Sequence, residues 1–378
     1  MAERCVLLSV GDDSGDLHAA NLMRAMREHE PDVRFTGFGM ERMVAAGLAP
    51  LGEQGGSAMW FRNLLRLGRY RRRLETCRSI LRDGGVDLVV PVDFGGFNLY
   101  LCREAARRGV PVFYYIPPQV WAHGRYRLKK LRKWTTRCGL IYPFERELYR
   151  RWSVGAEYVG HPLFDAIEQN PPSEEAVSRL RERFGDRLVA IFPGSRMQEV
   201  RAHVPLIVRC CRRLRAEVAG VTFALLSPTG VRAEAERLLP GEALEIAVLE
   251  DVRPVELARA SHVCIAKSGT VTLEIATQQT PTVIFYRTNP FTHFIALGLS
   301  ETPYAGIVNV LAGRMVCAEK VMSRDDHEWL ARQALRLLKD PEAHAACRRA
   351  MGEALEGFAR PGASARAAES ALELLQPC

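Results

Sequence analysis

Ile191-Phe192-Pro193-Gly194-Ser195-Arg196-Met197-Gln198-Glu199-Val200 is the stretch that decides the fold. An apolar β-type run, 188–192, ends in Pro-Gly-Ser-Arg, and an amphipathic run carrying Val204, Ile207 and Val208 follows. A strand thus ends in a small-residue turn, and a helix starts there with main-chain N–H groups unpaired, an arrangement that binds anions. Arg196 adds a planar, permanently charged fork suited to phosphate. About seventy residues on, the pattern recurs: a run at 262–266, then Lys267-Ser268-Gly269-Thr270, then a helix carrying Glu274 one turn beyond Thr270. Gly194, Ser195, Arg196, Ser268, Gly269, Thr270 and Glu274 form the strongest candidate group. The turns are read as gripping phosphate, and the Glu274 carboxylate as accepting from ribose hydroxyls. With no Gly-x-Gly-x-x-Gly hydride-cofactor fingerprint in the chain, the pair points to a nucleotide-sugar site.

Working outward, short apolar runs alternate with helical patterns along most of the chain. Strands are expected at 5–10, 33–37, 87–93, 112–116 and 139–142, and again at 188–192, 222–226, 244–248, 262–266 and 282–286. Such alternation marks parallel sheets with helices on both faces, and two sets of it mark an α/β protein of two doubly wound domains. The polar, proline-bearing stretch 168–173 is the expected boundary, separating a first domain, 1–168, from a second, 174–349. A last helical pattern, 354–375, has no sheet of its own to cover. Ligands of open α/β sheets lie beyond the carboxyl ends of the strands, so a cleft lined by strand-end residues of both domains is expected.

Bulk composition narrows the function classes. The chain has 378 residues, 47% hydrophobic and 25% charged, with a formal net charge of +8. That balance is ordinary for a globular protein and favours phosphorylated ligands or anionic surfaces. No apolar run approaches the ~20 residues of a membrane span, and the start of the chain leaves no room for a signal peptide. The ten cysteines lack regular spacing, several inside apolar strands, which fits reduced thiols and a cytoplasmic location. No metal site is expected: Asp-x-Asp and His-Glu-x-x-His are absent, as are the Walker loop and Gly-x-Ser-x-Gly. No cofactor is implied, and without a nucleic-acid motif the positive charge does not argue for DNA or RNA.

In the first half, Gly11-Asp12-Asp13-Ser14-Gly15-Asp16 follows the first strand. Ser14, Gly15 and Asp16 are candidates for the cleft floor, against the plainer reading of a capped turn. Asp93 ends a buried strand beside Gly95 and Gly96, and is a candidate general base. Asn98 is read as a cleft residue or helix cap, and His161, before Pro162 and after a strand-like run at 156–159, as a cleft residue or a loop-fixing ring. A different stretch, 57–73, is apolar and arginine-rich. Trp60, Phe61 and Leu64 among Arg62, Arg66 and Arg69 make a segment suited to a membrane interface. Arg125 to Lys133 is a second basic run that extends that surface.

Taken together, the ordered landmarks resemble the lipid-A-disaccharide synthase family over nearly the whole chain. They are Ser14-Gly15-Asp16, Val92-Asp93 with Phe97-Asn98, Pro117-Pro118-Gln119-Val120-Trp121-Ala122 and Tyr142-Pro143-Phe144-Glu145. Gly160-His161-Pro162, Pro193-Gly194-Ser195-Arg196, Ser268 to Glu274 and Asn309 to Arg314 complete the series. The resemblance implies a GT-B glycosyltransferase with a C-terminal helix, about 350–378, packed back on the first domain. It implies transfer of 2,3-diacylglucosamine from its UDP derivative to 2,3-diacylglucosamine 1-phosphate (lipid X), with inversion and without a metal. It also implies a peripheral protein on the inner face of the cytoplasmic membrane, and leaves a homodimer open. Arg196 and Asn309 match family positions tied to activity and nucleotide binding.

Two positions depart from the family pattern. Many members carry Asp-x-x-Asp-Phe-Asn where this chain has Asp93-Phe94-Gly95-Gly96-Phe97-Asn98, so the second acid is Gly96 here. The base role therefore passes to Asp93, with Asp16 in reserve. Asp12 stands where a glutamate is usual. Other readings stay open: a GT-B enzyme with another acceptor, a UDP-sugar epimerase of similar fold, or a non-catalytic lipid- or nucleotide-binding relative.

Overall fold

Apolar runs such as Cys5-Val-Leu-Leu-Ser9 and Leu188-Val-Ala-Ile-Phe192 are buried along their whole length, the pattern of central parallel strands covered on both faces. The computed structural model describes residues 4–51, 63–122, 124–239, 244–288 and 302–375, and the side chains of 63–67 and 69 lie outside that description. It divides into two compact units, Met1–Glu168 with Arg360–Cys378, and Gln169–Ala359.

The first unit holds strands β1 Cys5–Ser9, β2 Arg34–Phe38, β3 Leu48–Pro50, β4 Leu88–Pro91, β5 Phe113–Tyr115, β6 Arg137–Leu140 and β7 Ala156–Tyr158. Their order is β3-β2-β1-β4 followed by β5-β6-β7, and parallel bridges Val89–Val112 and Val92–Tyr115 connect β4 to β5. Every pairing is parallel. Chain order reverses between β1 and β4, so the turns after those two strands flank the switch point where α/β sheets hold ligands.

The second unit repeats the scheme with β8 Leu188–Phe192, β9 Thr222–Leu226, β10 Ala247–Leu249, β11 Val263–Lys267, β12 Thr282–Arg287 and β13 Glu319–Met322. The order is β10-β9-β8-β11-β12-β13, again all parallel. Its switch point lies between β8 and β11, whose ends run in register from Ala190 opposite Cys264 to Phe192 opposite Ala266.

The fold departs from the sequence reading in three places. Strands β3 and β13 were not expected; they are short sheet edges, and their Leu-Ala-Pro and Glu-Lys-Val-Met carry no alternating apolar signal. The strand expected at 244–248 is Ala247–Leu249. The single helix expected at 354–375 is two. The helix Pro341–Leu355 belongs to the second unit, Gly357 and Gly362 turn the chain at φ 73° and 88°, and the helix Ala363–Leu372 belongs to the first. Asp165 receives the latter. Its Oδ1 accepts from Gly362 N at 2.7 Å and Ala363 N at 3.0 Å, and its Oδ2 from Ser364 N at 2.7 Å. A carboxylate thus satisfies N–H groups that a helix start leaves unpaired. Arg366 Nε donating to Val159 O at 2.8 Å and Ser370 Oγ to Glu157 Oε2 at 2.6 Å fix the helix beside β7.

Candidate active site

Backbone strain in the first unit gathers at strand ends. Asp93 and Phe94, just after β4, have φ 48° and 50°, and Ile116, just after β5, has φ 56°. Bulky residues rarely adopt this left-handed region, and such strain persists where the surroundings over-determine it. Here the surroundings are Asn98 and Tyr114. Asn98 Nδ2 donates to Asp93 O at 2.8 Å and to Ser9 O and Val92 O at 3.2 Å, while its Oδ1 accepts from Ser9 Oγ at 2.8 Å. Tyr114 Oη donates to the same Asp93 carbonyl at 2.8 Å. Asn98 is fully buried and Asp93 half-buried. Asn98 therefore clamps β1 to β4 and sets the main chain of Asp93.

Close packing tightens this corner. A Cβ built on Gly11 would lie 2.1 Å from the Phe94 ring, so only glycine fits there. Gly96, in the first turn of the helix Gly95–Ala106, has open space around its own ideal Cβ.

Asp16 is spent on structure. Its buried carboxylate accepts from Met40 N at 2.6 Å and Met43 N at 3.4 Å through Oδ1, and from Arg42 N at 3.0 Å through Oδ2, capping the helix Glu41–Ala45. The reserve role as base does not fit a carboxylate held this way. Gly15 is buried and its N–H donates to Asp12 Oδ1 at 2.9 Å, while Ser14 is exposed with Oγ 3.2 Å from His18 Nε2. Burial holds His18 down at about 4, with Asp12 and Asp165 pulling the other way.

His161 packs into an aromatic group at the ends of β5 and β6. Trp121 meets Tyr142 edge-on with ring centres 6.0 Å apart, Tyr142 stacks on Phe144 at 5.4 Å, and the His161 ring lies 5.4 Å from Tyr142. Leu163 N donates to His161 Nδ1 at 3.2 Å, which places the ring proton on Nε2, facing Tyr142 Oη at 3.5 Å. Burial, and then His18, lowers His161 to about 3, so the ring is neutral. Beneath it lies Glu145, whose Oε1 accepts from Trp121 Nε1 at 3.1 Å and Oε2 from Tyr142 N at 3.1 Å. Burial pushes that carboxyl up to about 8. Sequence alone gives Glu145 no role, although an acid inside the aromatic motif Tyr142-Pro143-Phe144-Glu145 is the available signal.

In the second unit, the turn after β8 passes through Gly194 at φ 114° into the helix Met197–Glu217. Glu199 turns back on it. Its Oε2 accepts from Ser195 N at 3.1 Å and Arg196 N at 3.3 Å, and its Oε1 from the Arg196 guanidinium at 3.3 Å. Lys267, the last residue of β11, brings Nζ to 3.2 Å from Glu199 Oε1. Burial works against ionisation of Glu199, but Lys267 and Arg196 outweigh it and hold the carboxyl below its ordinary range. The Arg196 side chain is 70% exposed and the Lys267 side chain 15%. Neither Glu199 nor Lys267 was singled out from sequence, although a glutamate at the third position of a helix is a recognisable capping signal.

Ser268 N donates to Phe285 O at 2.8 Å and Ser268 Oγ to Ala305 O at 2.6 Å, so this serine fixes the turn; Gly269 follows and Thr270 is exposed. Glu274, on the helix Val271–Thr277, is half-buried and no described group hydrogen-bonds its carboxylate. Burial raises it to about 7, against the pull of Arg253. Asn309 stands apart from this group. It is fully buried, with Nδ2 donating to Cys317 O at 2.8 Å and Glu319 Oε2 at 2.7 Å, and Oδ1 accepting from Val316 N and Cys317 N at 2.7 and 2.9 Å. Its polar atoms are committed to the loop before β13 and leave none for a nucleotide.

Trp60, Phe61 and Arg62 lie outside the described residues. Leu64, Arg66 and Arg69 lie on the helix Asn63–Asp83 with undescribed side chains. The nine cysteines among the described residues are all buried free thiols, and no helix among those residues is long and apolar enough to cross a membrane.

Comparison with known proteins follows the same lines. Residues 6–373 match the family model described as lipid-A-disaccharide synthetase. A curated relative from Geobacter sulfurreducens, named lipid-A-disaccharide synthase, is 32% identical over 373 residues, covering 98% of this chain and 97% of its own. A solved structure from Listeria monocytogenes, titled a putative UDP-N-acetylglucosamine 2-epimerase, aligns with TM-score 0.65 at 14% identity, covering 98% of this chain and 95% of that one. The MurG structure from Acinetobacter baumannii aligns with TM-score 0.59 at 12% identity, covering 98% and 99%. At such identities the solved structures speak to fold alone, and they place the chain among α/β proteins of GT-B architecture. The chain belongs to the lipid-A-disaccharide synthase family of glycosyltransferases.

Proposed function

We propose that this enzyme transfers 2,3-diacylglucosamine from its UDP derivative to the 6-hydroxyl of 2,3-diacylglucosamine 1-phosphate, with inversion at the anomeric carbon. The observation that carries the reading is the pair of strand-end turns on neighbouring strands β8 and β11. They bring Gly194, Ser195 and Arg196 beside Ser268, Gly269 and Thr270, with the carboxyl of Glu274 left for a ribose.

In this mechanism the diphosphate leaving group gathers charge as the glycosidic bond to UDP breaks. Arg196, with main-chain N–H groups of the helix start beyond those of Ser195 and Arg196, which Glu199 already holds, stabilises that charge. Glu274, raised by burial, is kept from repelling an anionic ligand as strongly as an ordinary carboxylate would, while its oxygens accept from hydroxyls. Asp93 takes the proton of the acceptor hydroxyl. Asn98 and Tyr114 position it by holding its carbonyl. His161 and Glu145 support the aromatic wall nearby, and Asn309 supports the second unit from within.

Both substrates carry acyl chains, so the enzyme must work at a lipid surface. The helix Tyr126–Trp134 supports docking on the inner face of the cytoplasmic membrane: it exposes Tyr126, whose ring lies 5.4 Å from Lys130 Nζ, within a basic run. At ~1 kcal/mol per cation near an anionic leaflet, such a run gives reversible attachment.

Incubating the purified protein with UDP-2,3-diacylglucosamine and lipid X, and resolving products by mass spectrometry, tests the reading. A tetraacyl disaccharide 1-phosphate formed in step with UDP supports it. Epimerised donor, or UDP release without disaccharide, refutes it.

A further inference from the structure

The geometry points to Lys267 as a further cation of the nucleotide site, one that contacts the diphosphate and is held in place by Glu199. This rests on the reading of the β8 and β11 turns as the diphosphate site.

Lys267 ends β11, yet its ammonium lies against the turn after β8, 3.2 Å from Glu199 Oε1. On the other side it is 3.3 Å from the position a Cβ on Gly269 would take. The charge therefore stands between the two turns. The Tyr286 ring, 5.5 Å from Nζ, backs it. With only 15% of the side chain exposed, the charge is poorly hydrated and its attraction for an anion is screened little.

Charge balance argues for a ligand. Glu199 is a single carboxylate serving two cations, Arg196 and Lys267, with two main-chain N–H groups donating to it as well. The cluster carries one surplus positive charge on the side where the turns meet. Glu199 thus acts as a positioning residue: it draws Lys267 across from β11 without neutralising the pair, and an incoming diphosphate supplies the missing charge. Uridine alone makes no use of that surplus, so Lys267 discriminates UDP from uridine.

Calorimetric titration of the full-length protein with UDP and with uridine tests this, comparing the parent with Lys267→Met and Lys267→Arg. Lys267→Met is expected to weaken UDP about tenfold and leave uridine unchanged, the size expected for one hydrogen bond to a charged group. Lys267→Arg is expected to recover most of the loss. Should Lys267→Met fail to fold, Lys267→Gln keeps a donor toward Glu199 and removes only the charge. Equal weakening of UDP and uridine, or no weakening, overturns the assignment of Lys267 while leaving the site intact. A parent protein that binds neither compound overturns the underlying site instead.

Discussion

Asn98 Nδ2 donates to the carbonyl oxygen of Asp93 at 2.8 Å, so the proposed base is anchored through its main chain, at a φ of 48° that a free chain would avoid. The same amide serves Ser9 O and Val92 O. Asn98→Asp keeps the shape but turns an acceptor toward three carbonyls. Urea unfolding is expected to show a loss of about 3 kcal/mol or more, since a buried carboxylate is left against three carbonyl oxygens with only Ser9 Oγ still donating to it.

Asp93 and Asp16 separate by kinetics and stability. Asp93→Asn is expected to lower kcat about 10²-fold or more while leaving the unfolding midpoint near that of the parent, the signature of a lost proton acceptor. Asp16→Ala removes the acceptor for Met40, Arg42 and Met43 N–H groups and is expected to lose about 1–3 kcal/mol, with near-parent kcat per folded molecule. Steady-state kinetics alongside urea titration checks both.

Glu145 predicts a pH dependence. In the unfolded chain its proton leaves near 4.5, whereas the folded protein holds it to about 8 because the carboxyl is buried. Between those values the folded state binds more protons than the unfolded state, so this group's contribution falls as pH rises through that window and is flat above it. Glu145→Gln lacks the slope. At pH 5 the variant is expected to be less stable by about 1–2 kcal/mol, because one of the Trp121 and Tyr142 donors now faces an amide NH2. The gap is expected to close within about 1–1.5 pH units, at roughly 1.4 kcal/mol per unit, and to reverse toward pH 8. Melting midpoints of both proteins across that range provide the check.

Gly96 is a vacancy by sequence and by space. No heavy atom stands within 4 Å of its ideal Cβ, and the position is in the first turn of a helix, where a carboxylate is favoured. Gly96→Asp is expected to raise stability by about 1 kcal/mol in urea and to retain turnover.

Much of this was legible in the residues themselves. The buried runs of β1 and β8 announce parallel strands because each is only five residues long, almost wholly apolar and closed by a small-residue turn before a helical period begins. The edges β3 and β13 were not legible, since a half-exposed strand needs no apolar pattern. Asp93 and Arg196 stand just after strand ends, and Glu274 in the helix that follows β11, as the residue pattern indicates. Asp16 and Asn309 sit in motifs equally suggestive in sequence, yet partners outside those motifs have claimed their polar atoms: Met40 and Arg42 for one, Cys317 and Glu319 for the other. Lys267 is the converse case, an unremarked strand end whose significance depends on Glu199, 68 positions earlier in the sequence.

The most direct test of the account is a crystal structure of the enzyme with uridine diphosphate bound. Phosphate oxygens are expected within hydrogen-bonding distance of Arg196 and Lys267, beside the turns after β8 and β11, with ribose hydroxyls on Glu274. A nucleotide seated elsewhere, with both turns and Glu274 untouched, would contradict it.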